Sequence, residues 1–184
     1  MIIRLADCPA QPWKNGLGRT REIAVQPSAD GSGDFLWRVS VAEVDSAAPF
    51  SSFPGIDRQI VLLDGAGFTM TLDDGHMHAL TAPFVPFAFA GEAKVDVALA
   101  GGPTRDFNLM LRRGRVRGGI EVWRGTDARA PDAATVLAYC ARGTIDSADG
   151  PLQPGDAWRP SPGSSALALQ PGALALAVRV QAVA

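Results

Sequence analysis

Arg58-Gln-Ile-Val-Leu-Leu-Asp-Gly-Ala-Gly67 is the stretch on which the fold turns. Arg58–Leu63 reads as a short strand, and the Asp-Gly-Ala-Gly that follows reads as a tight turn into the next one. A second copy can be laid over it. In Ala134-Thr-Val-Leu-Ala-Tyr-Cys-Ala-Arg-Gly143 the apolar positions and the closing glycine coincide with those of the first. Further on, Leu80-Thr-Ala-Pro-Phe-Val-Pro-Phe-Ala88 lies over Leu152-Gln-Pro-Gly-Asp-Ala-Trp-Arg-Pro160, and both copies then run through a glycine into a Val/Ala/Leu strand. The second copy has the shorter hairpin. Repetition of this kind predicts two similar β-halves.

Working outward, 20 glycines and 14 prolines punctuate the 184 residues every few positions, and segments with apolar residues at helical spacing are scarce. Strands are predicted at Glu22–Val25, Phe35–Val44, Arg58–Leu63, Gly67–Leu72, Lys94–Ala100 and Asp106–Leu111. Further strands fall at Gly119–Trp123, Thr135–Tyr139, Ala166–Leu169 and Leu174–Val180. Asp127–Ala134 could supply a short helix, limited by Pro131. An all-β sandwich or barrel is expected. Hydrophobic residues at 47% and charged residues at 20% place the chain among globular proteins. A net charge of −2 offers no basic field for nucleic acid. No apolar run approaches the roughly 20 residues of a membrane helix. Cys8 and Cys140 are too few for a disulfide framework, and Met1–Asp7 lacks the basic start and apolar stretch of a signal peptide, so a cytoplasmic location is expected.

The order strand, Leu-Leu-Asp-Gly-Ala-Gly, strand, Leu-x-Pro-Gly-Asp, strand resembles the cupin barrel. Metal cupins carry G-x5-H-x-H-x3–4-E-x6-G. Counting back from Gly65 places Arg58 at the Glu position and Phe53 and Ser51 at the two His positions, and the second motif's His would fall near Ala88. None of these is a residue that Zn, Fe or Mn takes as a ligand. No metal and no other cofactor is expected.

Pro12-Trp-Lys-Asn-Gly16, Thr20-Arg-Glu-Ile-Ala24, Phe35-Leu-Trp-Arg-Val-Ser-Val-Ala42, Pro49-Phe-Ser-Ser-Phe-Pro-Gly-Ile-Asp-Arg58 and Asp106-Phe-Asn-Leu-Met-Leu-Arg-Arg113 together resemble the HutD/Ves family of the cupin superfamily. The resemblance covers roughly Ile3 to Trp123 in family order, with Leu17 where a further glycine is usual. It implies an all-β double-cupin (RmlC-like jelly-roll) barrel, with 1–184 one compact unit, 1–118 its N-terminal half and 119–184 its C-terminal half. It also implies no established catalytic activity and a role in controlling histidine utilization by sensing a pathway metabolite such as formylglutamate or urocanate. The Ves branch is linked instead to stress or cold response.

Strict alternation in Asp106–Arg112 puts Asp106, Asn108, Met110 and Arg112 on one face and Phe107, Leu109 and Leu111 on the other. A guanidinium fork matches a carboxylate, and Asn both donates and accepts, which suits a small carboxylated metabolite. The same face would equally serve as the solvated side of a half-buried strand. Arg38 either contacts ligand or pairs with Glu22, Asp57 or Asp106, since a buried Arg needs a partner. Arg58 either anchors an anion where a metal cupin has its Glu or pairs with Asp57 or another acid. Lys14 and Asn15 sit in a hairpin turn signalled by Asn-Gly. The lysine is notable because the chain has 15 Arg but only two Lys. Phe53, Phe50 and Trp13 wall a pocket or fill the core. The candidate ligand residues are therefore Lys14, Asn15, Arg38, Phe53, Arg58, Asp106, Asn108 and Arg112, with no catalytic residue assigned.

His76 and His78 beside Asp73 and Asp74 mimic a metal cluster, but they fall in a hairpin turn away from the expected barrel site and lack a clearly placed third ligand. No phosphate-binding glycine loop is present. The leading expectation is a non-enzymatic binder of a small carboxylated metabolite. A metal-free cupin isomerase or epimerase acting on a small acidic substrate is the alternative. Neither nucleic acid nor membrane is an expected partner, and a homodimer is left open.

Overall fold

The computed structural model describes residues 1–29 and 34–183. Apart from one 3-10 turn at Leu5–Asp7, the secondary structure among the described residues is strand. Asp127–Ala134, where a short helix was conceivable, is not helical. In chain order the strands are β1 (Ile2–Ile3), β2 (Ala10–Pro12), β3 (Gly18–Pro27), β4 (Phe35–Val44), β5 (Ile56–Asp64) and β6 (Phe68–Leu72). There follow β7 (Met77–Leu80), β8 (Phe87–Ala90), β9 (Val95–Leu99), β10 (Thr104–Arg112), β11 (Val116–Arg124) and β12 (Thr135–Arg142). The chain ends with β13 (Ile145–Ser147), β14 (Gly150–Leu152), β15 (Ala157–Trp158), β16 (Ala168–Leu169) and β17 (Leu174–Ala182). The predicted strands all fall on these. The strands that sequence did not predict, such as β7, β8, β13, β14 and β15, are two to four residues long, too short to show alternation.

The chain forms two compact units, Pro9–Val116 and Met1–Cys8 with Arg117–Ala184. The first eight residues thus lie outside the 1–118 half in which sequence placed them, because Ile2 and Ile3 pair antiparallel with Trp158 and Ala157. In the Pro9–Val116 unit a six-stranded sheet runs β2-β3-β4-β10-β5-β8, and a three-stranded sheet runs β7-β6-β9. Ile60 and Leu62 from the larger sheet and Phe68, Met70, Leu80 and Val95 from the smaller form one buried cluster, so the two sheets share a core. In the other unit a five-stranded sheet runs β1-β15-β12-β17-β11 and a three-stranded one runs β14-β13-β16. Their shared core holds Trp158, Ala138, Cys140, Ala175 and Ala177 with Ile145, Leu152 and Leu169.

Each of the two aligned stretches lies in a strand that leads to a glycine turn. Arg58–Leu63 lies in β5 and Thr135–Cys140 in β12, with the glycine in the left-handed region, φ 77° at Gly67 and 72° at Gly143. Side chains are excluded there on two counts. A β-carbon at Gly67 would run into the Leu80 carbonyl, and one at Gly143 would lie 2.8 Å from the Ala173 Cα. Leu80 and Leu152, the residues opening the second aligned stretches, are both buried. No helix among the described residues is long and apolar enough to cross a membrane.

Candidate functional site

β10 lies between β4 and β5, so both of its edges are hydrogen-bonded within the sheet, and both of its faces are buried. Phe107 and Leu109 on one face are fully buried, and on the other Asp106 and Asn108 are 1% and 4% exposed. The polar face that sequence left open between solvent and interior is therefore interior. It lines a cavity of about 540 Å3 in the Pro9–Val116 unit. Register fixes its neighbours: Asp106 stands opposite Ala42, Asn108 opposite Ser40 and Met110 opposite Arg38 on β4, and Met110 stands opposite Arg58 on β5. The β2–β3 turn adds Trp13, Lys14 and Asn15, and the segment before β5 adds Phe50, Ser51 and Phe53.

Arg58 is the centre of the wall. It is 7% exposed, and its guanidinium carbon lies 4.8, 5.2 and 5.5 Å from the ring centroids of Phe89, Phe50 and Phe53. The rings offer their electron-rich faces and exclude water. Among the described residues it gives one hydrogen bond to protein, Nη2 to Asn108 Oδ1 at 3.1 Å, and its Nε has no partner. Burial brings its pKa down to about 10, the charge of Asp106 working against the shift and that of Arg38 with it. Asn108 in turn donates from Nδ2 to Asp106 Oδ1. Burial pushes the Asp106 carboxyl up to about 7, against the pull of the Asn108 hydrogen bond and the Arg58 charge. Its other oxygen, Oδ2, is buried without a donor.

The remaining candidates differ in how far they are already committed. Arg38 donates from Nε to Glu22 Oε2 at 2.7 Å, so of the three acids it might have taken, Glu22 is the partner. Asp57, the neighbour that might have paired with Arg58, accepts instead from Arg113 at 2.7 Å. Asn15 Oδ1 accepts from the Leu17 amide at 3.0 Å, which fixes the turn, and Trp13 is anchored by Nε1 donating to Thr20 Oγ1 at 2.8 Å. Lys14 is exposed and has no ion pair among the described residues. Phe53 and Phe50 both line the wall, and Phe50 also packs on the core, edge-on against Phe68 at 5.8 Å.

Arg112 is the one candidate that does not line the cavity. It stands at the last position of β10, where the carboxylate of Asp34 lies 3.0 Å from Nη2 and the Phe35 ring 5.6 Å from the guanidinium carbon. These partners at the start of β4 draw the side chain to the strand end. Sequence missed Phe89 and Thr20, and it placed Met110 on the cavity face without counting it among the candidates. Phe89 was legible only as the alternation Phe87-Ala88-Phe89, since its place opposite Arg58 comes from the β5–β8 register.

The donor set does not suit a metal. Ser51, Phe53 and Arg58, standing where metal cupins carry ligands, all line the cavity, and a hydroxyl, a phenyl ring and a cation form no cage. No group of three or more metal-ligating side chains occurs among the described residues. His76 and His78 are on the β6–β7 hairpin, where His78 stacks on Phe87 with centroids 3.6 Å apart, and neither lines the cavity.

The HutD family profile matches residues 5–177. The chain is similar to an uncharacterised protein encoded in the hutC 3′ region of Pseudomonas putida, 39% identical over 79% of this chain and 75% of that one. Its similarity to protein Ves of Cronobacter sakazakii is 42% over 62% of this chain and 61% of that one. Among solved structures, HutD from Pseudomonas fluorescens SBW25, determined in a formate condition, superposes with a TM-score of 0.86 at 30% identity, covering 100% of this chain and 99% of that one.

Proposed function

The chain belongs to the HutD family, and we propose that it is a non-enzymatic binder of a small carboxylated metabolite, serving the control of histidine utilization. The observation that carries this is Arg58. A guanidinium buried among three rings, facing a cavity and giving a single hydrogen bond to protein, still has donors to satisfy, and a carboxylate accepts them in matched geometry. Positive charge continues outward through Arg38 to the exposed Lys14. A ligand with one carboxylate on Arg58 and a second group near Lys14 fits this gradient. Formylglutamate and urocanate are the first compounds to test, because a relative is encoded beside hutC. Formate, the smallest carboxylate, is the minimal probe. We read the two units as two cupin barrels, of which the Pro9–Val116 barrel holds the ligand.

One observation favours a second function, a metal-free isomerase or epimerase. A buried carboxyl titrating at about 7 on the wall of a cavity is suited to general acid–base work at neutral pH. The two separate by turnover. In the binding function the metabolite is recovered unchanged after hours with the protein.

Titration calorimetry with N-formylglutamate, urocanate and formate tests the proposal, with Arg58→Gln as the probe. Losing a buried charged partner costs about 2–5 kcal/mol of binding. Affinity should therefore fall at least about 30-fold in a variant whose circular dichroism matches the parent. Undiminished affinity in folded Arg58→Gln removes Arg58 from the site and the proposal with it. Lys14→Ala, on an exposed turn, serves where Arg58→Gln does not fold, and should weaken binding by a smaller factor.

A further inference from the structure

We infer that Asp106 takes up a proton when the cavity takes up its anion, so that the ligand of this site is a carboxylate bound together with one proton. This rests on the carboxylate-binding function proposed above and names the residue that sets its charge selectivity.

The geometry is a three-residue chain, Arg58 to Asn108 to Asp106. The Asn108 amide uses both its ends, accepting from Arg58 and donating to Asp106, so the cation and the acid are joined through a neutral spacer and do not touch. Asp106 is 1% exposed, with one donor on Oδ1 and none on Oδ2. Well-solvated or well-bonded carboxylates have several donors. Asp106, with a single donor in a buried position, is held in its charged form first by that Asn108 hydrogen bond and then by the nearby Arg58 cation, and burial outweighs both. When Asp106 is ionised in the free site, the buried charges balance, Arg58 against Asp106.

A carboxylate seated on Arg58 brings a second anion against the same cation. In the interior, like charges a few ångströms apart repel several times more strongly than in water. Relief comes most readily from protonating the acid with the fewest donors, which is Asp106. Its surroundings offer no competing site for that proton. On β4, Ala42 stands opposite it and Arg38 is farther along the same face, already tied to Glu22 of β3. On β5, apolar Leu62 stands opposite it and Arg58 is the only charged group lining the cavity. The turn between β2 and β3 contributes Lys14, a cation at neutral pH, and no histidine lines the cavity. Burial already pushes the Asp106 carboxyl up to about 7, so the added anion acts on a group poised at working pH.

The sign follows from linkage. Binding that raises the affinity of Asp106 for a proton is itself favoured by protons, so affinity is greatest below pH 7 and declines as pH rises above it. If the ligand shifts the carboxyl by one unit, affinity falls about fivefold between pH 6 and pH 8, and a larger shift gives a larger fall, limited to tenfold per unit.

The test is calorimetric titration of the whole protein with N-formylglutamate, whose carboxyls stay ionised throughout, and with glutarate, whose affinity is corrected for its own protonation near pH 6, between pH 6 and pH 8.5. At pH 7.5 it is repeated in two buffers of different ionisation enthalpy. The expected result is a fall in affinity of about fivefold or more from pH 6 to pH 8, with about half a proton or more taken up per ligand at pH 7.5. Asp106→Asn, which keeps an oxygen for the Asn108 amide, should bind with little variation over the same range. Binding that is independent of both pH and buffer overturns the inference while leaving the carboxylate function standing. So does a pH dependence that persists in Asp106→Asn. If that variant does not fold, proton uptake by the parent decides alone. Failure of N-formylglutamate, glutarate and urocanate to bind at pH 6 removes the carboxylate function, and this inference falls with it.

Discussion

Asp106 holds a strained position even without ligand. Unfolded, its carboxyl titrates at about 4, and folded at about 7, where burial outweighs the help of Asn108 and Arg58. Between those values the folded chain keeps a proton that the unfolded chain has released. Stability is therefore lost as pH rises from about 4 through about 7, and stays lost above, by at most about 4 kcal/mol. Asp106→Asn removes the titrating group, so in thermal melts the variant should gain on the parent between pH 5 and pH 8 and exceed it at pH 8. A melting temperature that falls equally in both between those pH values would show that the Asp106 carboxyl is not the group responsible. Arg58 was legible at this scale as a cation where a metal cupin has an anion. Of its aromatic cage Phe50 and Phe53, in the same motif, were legible as wall or core, but Phe89 was not, because it lies far from Arg58 in sequence and reaches it only through β5–β8 pairing.

β10 shows what an element adds to its residues. Alternation sorted Asp106, Asn108 and Met110 from Phe107, Leu109 and Leu111, but a pattern of period two cannot say which face looks inward. That is decided by tertiary packing: β4 and β5 occupy the two edges of β10, and the residues of both of its faces are buried. Alternation also put Arg112 with the cavity residues, and there it failed. The face continues past the point where the cavity ends, and at the strand terminus Asp34 and Phe35 capture the guanidinium. Their side chains are respectively 57% exposed and half-buried, and Arg112 is 25% exposed, so the pair is wet and contributes about 0–1 kcal/mol. Arg112→Ala should lower the melting temperature by a few degrees at most and change carboxylate affinity less than threefold. A 30-fold loss in a folded Arg112→Ala protein would place Arg112 at the ligand after all. The long strands β4, β5 and β10 were legible because they run for nine or ten residues and are rich in β-branched, aromatic and other apolar residues. The pairing of Ile2 and Ile3 with β15 was not, since two residues carry no pattern.

At the scale of the whole chain, the repeat predicts two similar units, and the difference between their interiors carries the functional consequence. In the Pro9–Val116 unit the strands facing the cavity bring Arg38, Ser40, Arg58, Asp106 and Asn108 inward. In the other unit β12, the strand aligned with β5 in sequence, turns Ala138 and Cys140 into the core, and β17 adds Ala175 and Ala177. Small side chains on two central strands leave room that Trp158, fully buried, fills with an indole whose Nε1 donates to Asp149 at 2.6 Å. Asp156, the buried acid of this unit, already accepts from Arg4 at 2.6 Å and from the amides of Leu5 and Gln153 at 3.2 and 3.0 Å, which holds its pKa below the usual range. It is satisfied where Asp106 is not. An apolar, filled core next to a satisfied acid gives an anion nothing to bind. The expected stoichiometry is thus one carboxylate per chain despite the internal repeat. Calorimetry should give a single class of sites with a ratio near one, before and after dialysis against a chelator, because Ser51, Phe53 and Arg58 supply no ligand for a metal to bridge the anion. Two equivalents of comparable affinity would mean that the second unit opens around its tryptophan. Binding lost on chelation, together with one equivalent of metal, would mean that a metal and not Arg58 anchors the ligand.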